Sequence, residues 1–407
     1  MMFDDARRVL ERFLSPLTLD EFLDTTLAGG FRKLAPDDRG ARSELLGPDP
    51  AAVLGGAFHL APQLTFHSAN PTGPPPSLHA VADAADFRGR IAQFHARNYS
   101  VRFPELRPLS PALDALARAL EVLLHQPVTA SAFWSQPGLK APVHYDDHDL
   151  IVAQLRGAKR WHISTKPSER PNPWQGIAPE APELGPHEIV DVVPGNVLYL
   201  PRGTLHSVES EQESLHLAIG FTPLTVRDAV LAALDHLSDL DPVLRAPVGG
   251  RLAFQLKGAG FERLGLAAAD GAARLLAACK DPGFLRHALQ RRSSRAVALL
   301  EALPSAQPTS AIGLDTLLMQ SAGAFCHLTA TPETIDLSYP GGRLNIHRGA
   351  QESVLYIVNT ARFRVRDIPG GIEDDVRLSL VAKFLEVGFL QLASADATQP
   401  SVDENAA

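Results

Sequence analysis

The chain has 407 residues, of which 45% are hydrophobic, so it holds enough apolar material for more than one core. Its formal net charge of −8 argues against direct nucleic-acid binding, which depends on basic side chains that neutralise phosphates. The two cysteines, Cys279 and Cys326, are too few for a disulfide framework or a thiolate zinc site. The sequence shows no secretion-signal pattern and no apolar run long enough for a membrane span, so we expect a cytoplasmic protein without membrane contact.

The N-terminal part of the chain combines helical and irregular segments. Apolar residues recur at helical spacing over residues 5–14, 19–27 and 111–124, which predicts three helices. A run rich in proline and glycine at 70–76 predicts an irregular connection before a region of strands, which extends from residue 128 to about 221.

Residues 167–186 interrupt this strand region. Their repeated prolines exclude a regular element, so we expect a loop at the mouth of the strand domain, where loops commonly select a substrate. Trp174 in this loop is interpreted either as a recognition aromatic or as a packing residue.

Two segments of the strand region carry the residues of a metal site. In an extended strand side chains alternate between faces, so His144 and Asp146 point the same way while Tyr145 points away. Farther along, Pro194-Gly195 leads into an apolar strand at 197–200, and a Pro-x-Gly turn then precedes His206. Two imidazoles and one carboxylate on one side of a metal are typical of non-haem Fe(II) oxygenases.

An alternative is that these residues have no role in metal binding. A His-x-Asp triplet is common, and in a chain with 15 histidines a single one is more often a surface or satisfied core residue. The corresponding functional alternative is a cofactor-free binding or structural protein. The pairing of the two segments favours the metal site.

These segments resemble the JmjC-type Fe(II)- and 2-oxoglutarate-dependent oxygenases, and within them the ribosomal oxygenases. The resemblance is carried by His144-Tyr145-Asp146 and by residues 154–161, 194–206 and 214–221. It implies an α+β chain whose first domain is a double-stranded β-helix of the cupin or jelly-roll type. It also implies that His144, Asp146 and His206 hold iron and that the chain uses 2-oxoglutarate and O₂.

The resemblance also implies cosubstrate residues. Gly157 is predicted to turn the chain between two strands so that Lys159 lies at the far side of a hairpin, near the strand of His144, and holds the distal carboxylate of 2-oxoglutarate. The alternative is a solvated turn lysine. Ser214 and His216 share a strand face and are expected either to contact the cosubstrate or iron shell or to be satisfied core groups.

The chain departs from the family pattern at one point. Some relatives place a tyrosine about a dozen residues before the first iron-binding histidine, where it helps to hold the cosubstrate. This chain has no tyrosine at 130–136, so Ser131, Ser135 or a water is expected in its place.

The C-terminal half is predicted to be different in kind. After a JmjC or cupin catalytic domain at 1–225, helical spacing at 226–237, 242–256, 271–279 and 284–303 predicts a helical region at 226–307. Relatives dimerise in such a region, so we expect a homodimer, with a monomeric helical cap as the alternative.

A third domain is expected at 308–397. Predicted strands at 353–358 and 362–365, followed by a helix at 376–386, resemble a winged-helix module in which protein contact is favoured over DNA binding. Residues 398–407 are expected to be a frayed tail.

The expected reaction is hydroxylation of an amino-acid side chain in a protein. The resemblance indicates an Arg or His of a ribosomal protein, and the acidic chain would favour such a basic partner. For an arginine target, acids near the mouth are expected either to pair with the guanidinium or to be ordinary solvated loop charges: Asp147, Asp149, Glu180 or Glu183. The same chemistry on a peptide or small metabolite in a biosynthetic pathway is the alternative.

Overall fold

The computed structural model describes residues 3–36, 42–168, 170–171, 183–248, 258–304 and 312–393. The chain divides into two compact units, Met1–Pro223 and Leu224–Ala407. No helix within the described ranges is both long and apolar enough to cross a bilayer.

The helices of the first unit lie where the apolar periodicity predicts them, with two more in between. They are α1 (Phe3–Leu14), α2 (Leu19–Ala28), α3 (Pro50–Gly56), α4 (Ala84–Ala96) and α5 (Pro111–Leu124). Thr18 caps the N-terminus of α2 and forms a capping box with Glu21, and Ser110 caps α5, where its hydroxyl accepts from the Leu113 amide. These local signals explain why the predictions at 5–14, 19–27 and 111–124 are confirmed.

The strand region of the first unit folds into two antiparallel sheets. Its strands are β1 (Arg32–Leu34), β2 (Thr65–His67), β3 (Ser100–Phe103), β4 (Thr129–Ser135), β5 (Leu139–Lys140), β6 (Asp149–Arg156), β7 (Lys159–Ser164), β8 (His187–Val192), β9 (Val197–Leu200), β10 (His206–Ser210) and β11 (Ser214–Phe221). Among the described residues, the larger sheet has the order β1-β9-β6-β11-β4-β3-β2 and the smaller has the order β5-β10-β7-β8. Side chains of both sheets form one buried apolar cluster, which includes Val152 and Leu198 from the larger sheet and Trp161 and Ile163 from the smaller.

The turn at Gly157 differs from the predicted hairpin. Strand β6 pairs with β9 and β11, whereas β7 pairs with β8 and β10, so the turn carries the chain from one sheet to the other. Gly157 has φ +62°, and a Cβ there would lie 1.9 Å from the Glu213 carbonyl oxygen, so the crossing requires glycine. Local alternation marks where strands run but not which strands pair.

The second unit contains helices and two small sheets. Its helices are α6 (Val226–Leu240), α7 (Ala259–Ala278), α8 (Pro282–Ala298), α9 (Gln351–Asn359) and α10 (Asp374–Glu386). Its strands are β12 (Leu317–Gln320), β13 (His327–Ala330), β14 (Thr334–Tyr339), β15 (Gly342–His347), β16 (Arg362–Arg364) and β17 (Leu390–Leu392). Within the described ranges the sheet orders are β16-β12-β17 and β13-β14-β15.

Three helix boundaries predicted in this unit need correction. The segment at 242–256 begins with a single 3-10 turn, Pro242–Arg245, after which Ala246 is extended, and 249–257 lie outside the described residues. The helix predicted at 284–303 ends at Ala298 instead, and the one predicted at 271–279 is the end of the longer α7. Apolar spacing continued past the points at which the chain leaves the helix.

The strand predicted at 353–358 is wrong, because this segment lies in helix α9. Its buried residues are Ser353, Val354, Ile357 and Val358, which recur at helical spacing. The predicted strand at 362–365 and the helix at 376–386 are matched by β16 and α10. The winged-helix assignment and the boundary at 307 stay predictions, and the tail at 398–407 lies outside the described residues.

Candidate active site

A single backbone bridge brings together two histidines that are 62 positions apart. His144 lies in an extended segment outside the named strands, and its amide donates to the His206 carbonyl at 3.0 Å. The His206 amide donates back to the His144 carbonyl at 2.8 Å, and the two ring centroids are 4.3 Å apart. The bridge sets both imidazoles on the same side of the smaller sheet.

The backbone also determines which nitrogen of each ring is available. The Nδ1 of His144 lies 2.8 Å from the Pro142 carbonyl, and the Nδ1 of His206 lies 2.9 Å from the Thr204 carbonyl. A carbonyl accepts a hydrogen bond, so both Nδ1 atoms carry the proton and both Nε2 atoms are free to bind a metal. Burial lowers the pKa of His206 to about 4, which keeps this ring neutral.

Asp146 completes the group. Its Oδ2 lies 3.6 Å from the His206 Nε2, and one ligand atom from each of His144, Asp146 and His206 lies within 4.8 Å of the others. The Gly203 amide donates to the Asp146 carbonyl at 2.8 Å, so the turn before His206 also holds the carboxylate segment. The three residues predicted to bind iron therefore converge on one point.

Beside these donors lies a cavity of about 250 Å³ between the two sheets, here called the central cavity. It is lined by His144, Asp146 and His206 at one side and by buried polar groups farther in. Among the described residues, the Trp161 Nε1 and His216 Nδ1 atoms are buried there without a hydrogen-bond partner. Unpaired buried polar atoms are costly, so this cavity is suited to a polar ligand.

Lys159 lies within the cavity and not at a solvated turn. Its side chain is 4% exposed, and its ammonium donates to the Ser135 hydroxyl at 2.9 Å. Burial lowers the pKa of Lys159 to about 7, and no carboxylate in the described ranges forms an ion pair with it. A cation held in this way is ready to pair with an anion that enters the cavity.

The positions expected to replace the missing tyrosine line the same cavity. Ser135 contacts Lys159, and Ser131 accepts a hydrogen bond from Arg102 at 2.8 Å. His216 also lines the cavity, and its ring stacks on Phe133 with centroids 5.1 Å apart. Burial lowers the pKa of His216 well below its usual range, with the charge of Lys159 adding to the effect.

Ser214 does not line the cavity itself but contacts a residue that does. Its hydroxyl bonds the hydroxyl of Ser210 at 3.1 Å, and Ser210 is the residue that faces the cavity. Of the predicted cosubstrate residues, the structure thus brings Lys159 and His216 to the cavity directly and connects Ser214 to it through one hydrogen bond.

Arg102 and His67 also line the cavity and were not predicted from the sequence. Arg102 on β3 and His67 on β2 line it from the edge of the larger sheet. Arg102 lies over the Phe133 ring at 5.9 Å, and burial lowers the pKa of His67 to about 4. The alternation Val101-Arg102-Phe103 showed that Arg102 faces away from its buried neighbours, but only the pairing of β3 with β4 shows that it faces the cavity.

The acids predicted to pair with an arginine substrate are placed differently. Asp149 is 3% exposed and accepts from the Tyr199 hydroxyl and the Arg202 amide, so it holds the turn before His206 and is unavailable to a substrate. Burial raises the pKa of this carboxyl. Asp147 contacts the His148 imidazole, and Glu183 is exposed outside the cavity lining. Most of the proline-rich loop, with Trp174 and Glu180, lies outside the described residues.

Comparison with known proteins agrees with this geometry. Residues 110–229 match the model of the JmjC domain. The chain is 34% identical over 131 residues to the bifunctional lysine-specific demethylase and histidyl-hydroxylase NO66 of Drosophila persimilis, a match that covers 31% of this chain and 19% of that one. It is 28% identical over 141 residues to ribosomal oxygenase 2 of Rattus norvegicus, covering 33% of this chain and 30% of that one.

A bacterial relative and a solved structure extend the comparison. The match to YxbC of Bacillus subtilis is 33% identical over 115 residues and covers 24% of this chain and 34% of that protein. The chain thus spans about a third or less of the length of each of these three relatives. The ribosomal oxygenase YcfD of Escherichia coli shares the fold, with a TM-score of 0.52 at 16% identity, over 93% of this chain and 99% of that one.

Residues 110–229 are thus similar to the JmjC domain, and the fold of the chain is of the α+β type. The predicted resemblance to the ribosomal oxygenases is confirmed, and so is the predicted fold class.

Proposed function

We propose that this protein is an Fe(II)- and 2-oxoglutarate-dependent oxygenase that hydroxylates an Arg or His side chain of a protein. The observation that carries the proposal is the convergence of His144, Asp146 and His206, with all three ligand atoms within 4.8 Å, at a cavity that also holds the buried Lys159. Two imidazoles and a carboxylate on one side of a metal leave positions open for a cosubstrate and O₂.

The residues of the site fit both an iron ion and 2-oxoglutarate. Each histidine has its Nδ1 tied to a carbonyl, which leaves the Nε2 as a ligand, as metal-binding histidines require. For 2-oxoglutarate, the Lys159 ammonium supplies the charge for a carboxylate, and the Ser135 hydroxyl orients that ammonium. The unpaired Trp161 Nε1 and His216 Nδ1 atoms offer further hydrogen bonds, and Ser214 supports the site through Ser210.

The bound iron would supply the activation of O₂, with the overall reaction converting 2-oxoglutarate, O₂ and a C–H bond to succinate, CO₂ and an alcohol. The chain's own residues hold and orient the reactants. The Trp161 ring stacks beside His206 at 5.4 Å, and the apolar side chains of Val152 and Val208 line the cavity and limit its access to water.

A ribosomal protein is the favoured substrate. The names of two similar proteins, ribosomal oxygenase 2 and the ribosomal oxygenase YcfD, refer to the ribosome, and NO66 is named a histidyl-hydroxylase. The net charge of −8 favours the approach of a basic partner such as a ribosomal protein. Hydroxylation of a free peptide or small metabolite is the second possibility, and it requires the same residues.

The test is 2-oxoglutarate turnover, measured as CO₂ release, together with direct metal binding to the purified chain. We expect His144→Ala and His206→Ala each to abolish turnover and metal binding while the fold is retained, because the substitutions remove ligands and little core volume. Asp146→Ala should reduce both strongly. His187→Ala is the matched control, since its Nδ1 also contacts a carbonyl two residues earlier, at 2.9 Å, but it is exposed on β8.

Retained turnover in His144→Ala or His206→Ala would contradict the assignment of the metal site. In the wild type, we expect added ribosomal-protein fragments that contain Arg or His to stimulate turnover of 2-oxoglutarate. Stimulation by a free amino acid or metabolite alone would favour the second possibility.

A further inference from the structure

Arg102 is a second cation in the central cavity, and the proposed reaction leaves it without an assigned partner. Its guanidinium donates to the Ser131 hydroxyl at 2.8 Å and lies over the Phe133 ring, which holds it toward the cavity. The bond to Ser131 uses one of the five N–H donors of the guanidinium. Arg102 is half-buried and therefore not simply a solvated surface charge.

The fixed charges that line the cavity are few. Among the described lining residues, Asp146 is the one carboxylate, and Lys159 and Arg102 are the one lysine and the one arginine. When iron and 2-oxoglutarate are bound, the two charges of Fe(II) match those of the dianionic cosubstrate. Asp146 then balances one of the two cations, which leaves one positive charge in excess.

The two cations lie at different places in the cavity. Lys159 begins β7 and contacts Ser135 at the end of β4, whereas Arg102 contacts Ser131, four residues back along β4. At about 3.3 Å per residue, these two contact points are separated by roughly 13 Å along the strand. Lys159 can thus hold the cosubstrate while Arg102 remains available to another molecule.

We infer that Arg102 determines the specificity of the site: it admits a target side chain that accepts hydrogen bonds, such as a carboxamide, carboxylate or neutral imidazole, and it disfavours guanidinium and ammonium groups. This inference rests on the proposed function and, of its two target residues, selects His over Arg. A cationic side chain would meet uncompensated positive charge and find no free carboxylate among the described lining residues, whereas an acceptor would pair with the remaining Arg102 donors.

The experiment measures binding of side-chain probes to the chain loaded with Zn(II) and 2-oxoglutarate, in which no turnover occurs. The probes are the N-acetyl methylamides of Asn, Asp, His, Arg and Lys, and the binding of each is measured by ligand-observed NMR. We expect the three acceptor probes to bind about tenfold or more tightly than the two cationic probes, since like charge is costly in a confined site. Equal binding of all probes, or tighter binding of the arginine probe, would overturn the inference.

Variants separate this role from a structural one. Arg102→Gln keeps a donor for Ser131 and should reduce the preference, whereas Arg102→Glu should reverse it toward the arginine and lysine probes. Arg156→Gln is the control, because Arg156 is exposed at the end of β6 and lies outside the cavity lining, so it should leave the preference unchanged. An unchanged preference in both Arg102 variants, with a raised 2-oxoglutarate requirement, would assign Arg102 to the cosubstrate and overturn the inference.

A second measurement identifies the modified residue type directly. A peptide digest from cells that lack this gene is incubated with the iron-loaded enzyme, 2-oxoglutarate and ¹⁸O₂, and labelled residues are located by tandem mass spectrometry. Label on His supports the inference, and label on Arg contradicts it while leaving the proposed function intact. If the wild-type chain neither bound metal nor turned over 2-oxoglutarate, that result would instead contradict the proposed function.

Discussion

Lys159 shows at the scale of one residue how burial prepares a site for an anion. A lysine inside a protein costs free energy unless it is paired with an anion, yet this ammonium donates its hydrogen bond to the neutral hydroxyl of Ser135. The cost is offset when a carboxylate binds, because the pair then forms in a cavity with little water. The burial that lowers the pKa of Lys159 therefore also strengthens its proposed interaction with a carboxylate of 2-oxoglutarate.

The first prediction concerns removal of this charge. Lys159→Ala should raise the 2-oxoglutarate concentration needed for half-maximal turnover roughly 10- to 150-fold, which corresponds to about 1.5–3 kcal/mol for a charge-assisted hydrogen bond. The iron requirement should change little, because Lys159 is not one of the metal-binding residues. Ser135→Ala is the companion variant and should have a smaller effect, since it removes only the neutral partner. An unchanged 2-oxoglutarate requirement in Lys159→Ala would show that another group holds the carboxylate.

The second prediction concerns pH. Burial lowers the pKa of Lys159 to about 7 in the free protein, and a bound carboxylate would raise it again. Above pH 7 the complex therefore holds more protons than the free protein, so 2-oxoglutarate affinity should fall with rising pH, by up to about tenfold per unit, and level off below pH 7. Binding of 2-oxoglutarate to Mn(II)-loaded protein between pH 6 and 9 measures this.

The matched variant for the pH prediction is Lys159→Arg, because a guanidinium stays charged across the whole range. Its affinity should be nearly independent of pH between 6 and 9, even if its absolute value differs. A wild-type affinity that stays flat over the same range would show that Lys159 does not control binding through its charge.

At the scale of elements, the crossing between β6 and β7 places Lys159 in the cavity. The turn is tight because Gly157 packs directly against the backbone of Glu213 and Ser214, the residues that lead into β11. Lys159 follows two residues later as the first residue of β7, so a displacement of this turn shifts the cation with it. The position of the lysine thus depends on a contact between backbones and not on its own side chain.

The third prediction compares two glycines with positive φ. Gly157→Ala adds a Cβ that would overlap the Glu213 carbonyl, whereas Gly138→Ala, at φ +80°, places its Cβ in open space. Gly138→Ala should lower the free energy of unfolding by about 1–2 kcal/mol from backbone strain alone. Gly157→Ala should cost about 1–3 kcal/mol more and weaken 2-oxoglutarate binding. Equal melting temperatures for the two variants would contradict the role of this contact.

At the scale of the whole molecule, the helices of the second unit expose apolar side chains. Val226 is 83% exposed, Val230 46% and Leu234 37%, and these three recur every fourth residue along one stripe of α6. On α7, Leu266 is 72% exposed. Such an apolar stripe is typical of an interaction surface, which agrees with the expected homodimer.

The fourth prediction is that the chain forms a two-fold dimer through these helices. Light scattering at micromolar concentration should give the mass of two chains. Charges introduced on the stripe, in Val230→Glu combined with Leu234→Glu, should give the mass of one chain, because a dimer would bury them without partners. Val376→Glu is the control, since this residue is 44% exposed on α10, outside the stripe. A wild-type chain with the mass of a monomer would contradict the prediction.

The sequence by itself determined the types and spacing of the site residues. Alternation placed His144 and Asp146 on one face, and the turn residues before His206 predicted the strand that brings it in. Helices α1, α2 and α5 follow from local apolar spacing and caps, which act within a few residues of the chain. The resemblance to ribosomal oxygenases depends on the short segments that carry the site residues, from His144 to the strand at 214–221.

Only the tertiary structure decided which distant segments meet. The pairing of β3 with β4 turns Arg102 toward the cavity, although local pattern gave no role for this residue. The change of sheet at Gly157 buries Lys159 there, whereas local pattern alone could not exclude a solvated turn lysine. Burial of Asp149 against Tyr199 likewise removes an expected substrate contact, and packing makes a helix of the segment expected to be a strand at 353–358. Local periodicity records only which face of an element is apolar. The partner of that face is selected by the free energy of packing over the whole chain.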